Sequence, residues 1–185
     1  IIEKMGYNKD VDWVEYKIKI PEKVPENLAK MASIVERRYG LHIVKARKAK
    51  EILPYAKDIF NLINTSYADL YGVVPLTEKQ IRYYTKQYFS FIRPDFVPLV
   101  IDKNGKLVAF GITMPPLSAA LQKANGSLLP FGFAHLLRAL TTNRLADLSL
   151  VPVDQHFQGQ GLKDLLIHSL TKSTIRNGLK LSEQN

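Results

Sequence analysis

The apolar positions of this chain change their period several times, and each change marks an element. "VDWVEYKIKI" (11–20) sets Val, Trp, Val, Tyr and Ile against Asp, Glu and Lys, which predicts a half-buried strand. "PEKVPEN" ends it, because proline brings no ladder N–H. Pro25 suits the first turn of a helix, and Leu28, Met31, Ala32 and Val35 recur at helical spacing up to Gly40. "LHIVKA" (41–46) predicts a short strand. From Ala49 to Tyr71 the stripe Ile52, Ala56, Ile59, Phe60, Ile63, Tyr67 and Leu70 predicts one long amphipathic helix, closed by Gly72.

Thr77 and Gln80 form a capping-box pattern that restarts a helix. It carries Ile81, Tyr84, Tyr88, Phe89 and Ile92 and stops at Arg93-Pro94. Strand-like runs follow at 97–101 and 107–114, around "DKNG". Asn104-Gly105 is a hairpin signal, since both residues tolerate positive φ. "LSAALQKANG" and "GFAHLLRAL" predict two short helices around a turn at 126–130. "RLADLSLVPV" (144–153) predicts a strand, interrupted late by Pro152. Leu162, Leu165, Leu166 and Leu170 place one apolar face on a helix over 161–177, and a last strand begins beyond Gly178. This order predicts an α/β or α+β fold, with a mixed, mostly antiparallel central sheet flanked by helices.

Composition changes this picture little. With 46% hydrophobic and 23% charged residues, the 185-residue chain is ordinary for one globular domain. No apolar run reaches the roughly 18–20 residues of a membrane span, and the first residues lack the pattern of a signal peptide. Without cysteine, disulfides and thiolate metal sites are excluded, and four scattered His make a structural zinc site an unsuitable reading. No metal is expected, no membrane contact is expected, and the expected location is the cytoplasm. The net charge of +9 favours an anionic partner, although the lysines are spread along the chain and also suit a solvated surface. Both ends fall inside apparent structure, so a fragment of a longer protein is expected.

The candidate chemistry lies in "VDQHFQGQGLKDLLI" (153–167), where a strand ends and a helix begins. A helix start has unpartnered N–H groups and a dipole that favours negative charge. Glycines allow positive φ and a close approach of phosphate to backbone. Gln158, Gly159, Gln160, Gly161 and Leu162 are candidates to present N–H groups to a pyrophosphate, with Lys163 adding charge. The stretch does not match a P-loop or a dinucleotide fingerprint. A glycine turn capping a core helix remains open on these residues alone.

The same stretch resembles the acyl-CoA-binding motif of the GCN5-related N-acetyltransferase superfamily, Gln/Arg-x-x-Gly-x-Gly/Ala. Gln158 and Gly161 match. Lys163 stands where Gly or Ala is usual, and Gln155 where Pro is common. "VPLVIDKNGKLVAFGITMP" is similar to the family's central hairpin, the helices around "YADLYGVVPLT" to its substrate-side helix pair, and "DLSLVPV" to the strand that bonds the pantetheine arm. The resemblance implies an acyl-CoA N-acyltransferase-like domain over 41–185, preceded by a connecting helix (25–40) and by a closing strand or linker of an earlier domain (1–24) that contacts it. It implies an N-acetyltransferase that passes an acetyl group from acetyl-CoA, or another acyl-CoA, to a small-molecule or peptide amine by direct attack. Val151 and Val153 join residues 158–163 as implied cofactor contacts, and Tyr67 and Tyr71 as substrate-side candidates. Asp147 is the candidate base, and the acid tyrosine usual in the family is expected beyond Asn185. His156 is a further candidate base, whereas His135 and His168 read as structural. Two alternatives stay open: a non-catalytic domain of this fold that binds a partner, and a nucleic-acid-binding module resting only on charge. Gly161→Glu is expected to abolish CoA binding with the fold intact.

Overall fold

The computed structural model describes residues 1–12, 14–44, 46–88, 92–127, 132–142, 145–179 and 181–184. Seven strands and six α-helices are described: β1 (Tyr16–Lys19), α1 (Glu26–Tyr39), β2 (His42–Val44), α2 (Ala56–Ser66), α3 (Glu78–Tyr88), β3 (Leu99–Ile101), β4 (Leu107–Phe110), β5 (Ile112–Met114), α4 (Ser118–Lys123), α5 (Gly132–Thr142), β6 (Leu145–Leu150), α6 (Leu162–Arg176) and β7 (Leu181–Gln184). The fold is the expected mixture of helices with a mixed, mostly antiparallel sheet. One sheet has the order β1-β7-β6-β5 and the other β2-β3-β4. Only β6 and β7 pair in parallel among the described strands; the remaining pairs are antiparallel.

The two sheets are joined where β4 passes into β5 at Gly111. A Cβ there would lie 3.0 Å from a Leu170 methyl of α6, so glycine lets the helix pack directly on the strand. Just before this junction, β4 also pairs with the segment after β6. The Phe110 N–H donates to Pro152 O (3.3 Å) and the Asp154 N–H to Val108 O (2.8 Å). These bonds carry residues 152–154 out of the β6 ladder and towards the helix start.

β4 is buried at all four positions, because both of its faces are covered. Val108 and Ala109 belong to one buried cluster with Ala32 and Val35 of α1 and Leu162, Leu165 and Leu166 of α6. Leu107 and Phe110 belong to a second, with Ile52, Ile59 and Leu62. The helix expected over 161–177 is present, with Leu162, Leu165, Leu166 and Leu170 buried as its apolar face requires.

Several expectations need correction. The first strand is shorter than 11–20, and all four of its residues are exposed rather than half-buried, because β1 sits at the sheet's outer edge beside β7 alone. Trp13 lies outside the described residues. The long helix over 49–71 is two short 3-10 turns followed by α2. Pro54 in the second turn has no N–H to continue the ladder. Leu70, assigned to the apolar stripe, is 51% exposed beyond the end of α2. The strand over 107–114 is divided at Gly111, and that over 144–153 ends at Leu150. The capping box does form: the Thr77 N–H donates to Gln80 Oε1 (2.9 Å) and the Gln80 N–H to Thr77 Oγ1 (3.4 Å). Phe89 of the stripe that follows falls outside the described residues.

β1 adds to the sheet that holds β5–β7, and α1 packs against α6.

Candidate functional site

Residues 154–161 form the descent from the β6 segment into α6. The Asp154 carboxylate starts it, accepting the His156 N–H at 3.0 Å and so capping a 3-10 turn over Gln155–Phe157. The next N–H groups are consumed locally, Gln158 by Gln155 O (3.3 Å) and Gln160 by Phe157 O (3.2 Å). Gly159 and Gly161 then take positive φ of 73° and 83°. The helix ladder restarts with Asp164 and Leu165 both donating to Gly161 O. This leaves the N–H groups of Gly159, Gly161, Leu162 and Lys163 without a partner among the described residues. They are the donors of a left-handed turn feeding a helix start, a geometry suited to anions. The row is therefore offset from the one the sequence suggests: Gln158 and Gln160 are spent on turns, and Lys163 contributes its backbone.

Gly161 is fixed for a second reason. A Cβ on it would lie 2.9 Å from Val35 Cγ2, so a side chain there forces α1 or the loop to shift. Gly161→Glu is therefore expected to cost stability as well as CoA binding. Positive φ and the Val35 contact both oppose any side chain.

The loop forms the floor of a cleft of about 880 Å³. Met31, Ile34, Val35, Arg38 and Tyr39 of α1 make one wall. Val151, Pro152 and Val153 also line it, together with Ser66, Tyr67 and Leu70. Arg38 lies over the Tyr39 ring (5.5 Å), and Tyr39 meets Phe157 edge-on at 6.1 Å, which ties α1 to the start of the loop. Arg38 and the exposed Lys163 bring positive charge to this cleft, whereas Asp164 is its one carboxylate among the described lining residues. Sequence reasoning missed the α1 wall, because nothing local connects residues 31–39 with 158–163. The helical spacing of Met31, Ile34 and Arg38 was the available signal.

The substrate-side tyrosines part company. Tyr67 lines the cleft, and its hydroxyl accepts the Val151 N–H at 3.1 Å. Burial pushes its pKa up, partly offset by that backbone donor. Beside it, Ser66 Oγ donates to Val153 O (3.0 Å). The end of α2 thus holds two polar groups of the 151–153 backbone. Tyr71 is exposed, does not line the cleft, and donates its hydroxyl to the Asp10 carboxylate. Asp147 lies in β6 opposite Met114 and Glu183 and is not among the lining residues.

His156 is oriented rather than free. Its Nδ1 is 2.9 Å from Asp154 Oδ1, while its side chain is 88% exposed outside the cleft. Lys106 Nζ, from the start of β4, holds Asp154 Oδ2 at 2.8 Å. Burial pushes the Asp154 carboxyl up, but the bonds from Lys106 and His156 and the Lys106 charge outweigh it and hold the pKa at about 2. Gln160 Nε2 donates to His156 O (2.7 Å), which connects this network to the glycine loop. His135 is exposed on α5, and His168 is half-buried on α6, where burial and the nearby Lys172 charge lower its pKa against a smaller opposing effect of Glu36. Among the described residues no cluster of three or more His, Asp and Glu could hold a metal ion, and no helix is long and apolar enough to cross a membrane.

These features define a class. The chain has the acyl-CoA N-acyltransferase-like fold of the GCN5-related N-acetyltransferases. It superposes over 98% of its length on the GCN5-related glucosamine N-acetyltransferase region of a fungal multi-domain GH3 β-N-acetylglucosaminidase, at a TM-score of 0.56 and 12% identity, covering 19% of that chain. In sequence it is 25% identical over 191 residues to Protein YghO of Escherichia coli (strain K12), covering all of this chain and 48% of that protein. It is 27% identical over 164 residues to a bacterial ceramide synthase of Caulobacter vibrioides, covering 85% of this chain and 41% of that protein. The chain therefore spans about half the length of these curated relatives. No family model matches it.

Proposed function

We propose that this chain is the acyl-CoA-binding domain of an N-acyltransferase, which passes an acyl group from coenzyme A to an amine. The observation that carries the reading is the set of four unpartnered N–H groups at Gly159, Gly161, Leu162 and Lys163, on the floor of a cleft that also holds Arg38. A pyrophosphate satisfies those donors and meets the positive end of α6. Lys163 adds charge where a smaller residue is usual, at the solvent side of the loop. The Val153 N–H, unpartnered among the described residues, is the backbone group left to bond a pantetheine arm, since Tyr67 and Ser66 hold Val151 N and Val153 O. The fold and the acyltransferase names among the similar proteins support this reading at the level of acyl transfer. Acetyl-CoA is the simplest cosubstrate. In the reaction an amine nitrogen attacks the thioester carbon, the C–S bond breaks, and the thiolate leaves.

The test is thermal denaturation of the complete protein with and without CoA. At a hundredfold excess over Kd, binding adds about 2.7 kcal/mol of stability and raises Tm. Lys163→Glu, a substitution at an exposed side chain, should cut that shift sharply without changing the Tm of the free protein by more than a degree or so. Absence of any shift at millimolar CoA, with folding verified, would overturn the proposal.

A second reading is favoured by one observation: Asp147, the candidate base, is not among the residues that line the cleft. In that reading the domain binds acyl-CoA without catalysing transfer. CoA thiol release from an acyl-CoA in the presence of varied amines separates the two, since a binding-only domain releases none above the uncatalysed rate.

A further inference from the structure

Two helices touch different parts of the segment that crosses the cleft. Tyr67 and Ser66, at the end of α2, hold Val151 N and Val153 O, the backbone along which the pantetheine arm is proposed to run. α1 touches the glycine loop itself, with Val35 against Gly161 and Tyr39 against Phe157. Coenzyme A carries pantetheine on one side of its pyrophosphate and a 3′-phosphorylated adenosine on the other. With the pyrophosphate on the open N–H groups and pantetheine along Val153, the nucleotide is left to the α1 side of the loop.

Arg38 is the cation that α1 brings to the cleft. The residues one turn back on the helix are Ile34 and Val35, which offer it no charge partner, and no carboxylate among the described residues pairs with it. Its guanidinium lies over the Tyr39 ring at 5.5 Å, and Tyr39 is itself packed on Phe157 at the start of the loop. Contact with a ring face positions the group but leaves its N–H donors to be satisfied. A planar guanidinium held in this way suits paired hydrogen bonds to a phosphate. Lys163 follows the open donors in the first turn of α6, so its charge falls to the pyrophosphate. The 3′-phosphate, one ribose ring away, needs a cation from another element. We propose that Arg38 binds the 3′-phosphate of coenzyme A, which makes α1 the element that selects the 3′-phosphorylated nucleotide. This proposal rests on the acyl-CoA reading above and assigns a specificity-determining residue within it.

The experiment is calorimetric titration of the complete protein with CoA and with 3′-dephospho-CoA. CoA should bind at least about tenfold more tightly, the worth of a charge-assisted pair of hydrogen bonds. Arg38→Gln should bring CoA down to the affinity of 3′-dephospho-CoA and leave the latter unchanged, and Arg38→Lys should recover part of the difference. Thermal unfolding of the free variants checks that the fold is kept. Equal affinity of the unaltered protein for the two ligands overturns the proposal and leaves the acyl-CoA reading standing. So does an equal loss of both ligands in Arg38→Gln, which would mean that Arg38 shapes the loop through Tyr39. A preference for CoA that survives Arg38→Gln and disappears in Lys163→Glu assigns the 3′-phosphate to Lys163 and also overturns it. Failure of both ligands to bind overturns both readings.

Discussion

Two of the chain's polar glycine turns, "DKNG" and "QGQG", end in opposite states. In the first, the Asp102 carboxylate accepts the N–H groups of Asn104 (2.8 Å) and Lys106 (2.9 Å), and the Gly105 N–H donates to Asp102 O (3.0 Å). Of the two residues that tolerate positive φ, only Gly105 takes it, at 81°. A Cβ on Gly105 would meet nothing within 4 Å. In the second turn, the equivalent carboxylate, Asp154, caps only the first residues, and four N–H groups beyond it stay open. Here Gly161 is pressed by Val35. A turn that satisfies its own backbone closes a hairpin. One whose donors are left over, on the floor of a cleft, can receive a ligand.

The largest effect expected is at the glycines. Gly161→Ala carries both a left-handed φ and a collision, and should cost about 2–4 kcal/mol, against about 1–2 kcal/mol for Gly105→Ala, which carries the φ alone. Urea denaturation measures both, and adding Val35→Ala should recover part of the Gly161→Ala loss. Equal losses at the two glycines would break the distinction.

Next comes the carboxylate that shapes the second turn. With its folded-state pKa depressed to about 2, Asp154 contributes stability that is present above about pH 4 and lost as the pH falls towards 2. The shift corresponds to about 2 kcal/mol, and screening around the 64% exposed Lys106 side chain reduces this to about 1 kcal/mol. Asp154→Asn should remove this acid-sensitive step from a plot of unfolding free energy against pH. An unchanged plot would detach the carboxylate from the loop's stability.

Tyr67→Phe leaves the Val151 N–H without its hydroxyl partner and should cost about 1 kcal/mol. The same protein titrated with CoA tells whether that hydroxyl also serves the ligand. The smallest effect is expected at Asp164, whose carboxylate shares the cleft with the open donors. Asp164→Asn should tighten CoA about two- to fivefold by removing a like charge near the helix start. Weaker binding would mean that Asp164 orders the loop rather than opposing the phosphates.

Much of this was legible along the chain because it is local. Leu162, Leu165, Leu166 and Leu170 state a buried face, Thr77 and Gln80 a cap, and Asn104-Gly105 a hairpin. The glycine loop could be located, but not its donors. Whether the Gln158 or the Gly159 N–H remains open depends on turns closed by Gln155 and Phe157, which residue type does not report. Leu70 was misassigned for a related reason: its spacing suits the stripe, yet the helix ends first.

What the sequence determined by itself was therefore periodic and short-ranged: the elements, their order, the fold class and the place of a candidate anion loop. The tertiary structure alone decided that α1 becomes a wall of the cleft, that Tyr67 and Ser66 hold the 151–153 backbone, and that Val35 presses on Gly161 so that a side chain there is costly. These pair residues that lie about a hundred positions apart. Such contacts are selected by packing and by backbone groups, which carry no signature in the order of the side chains.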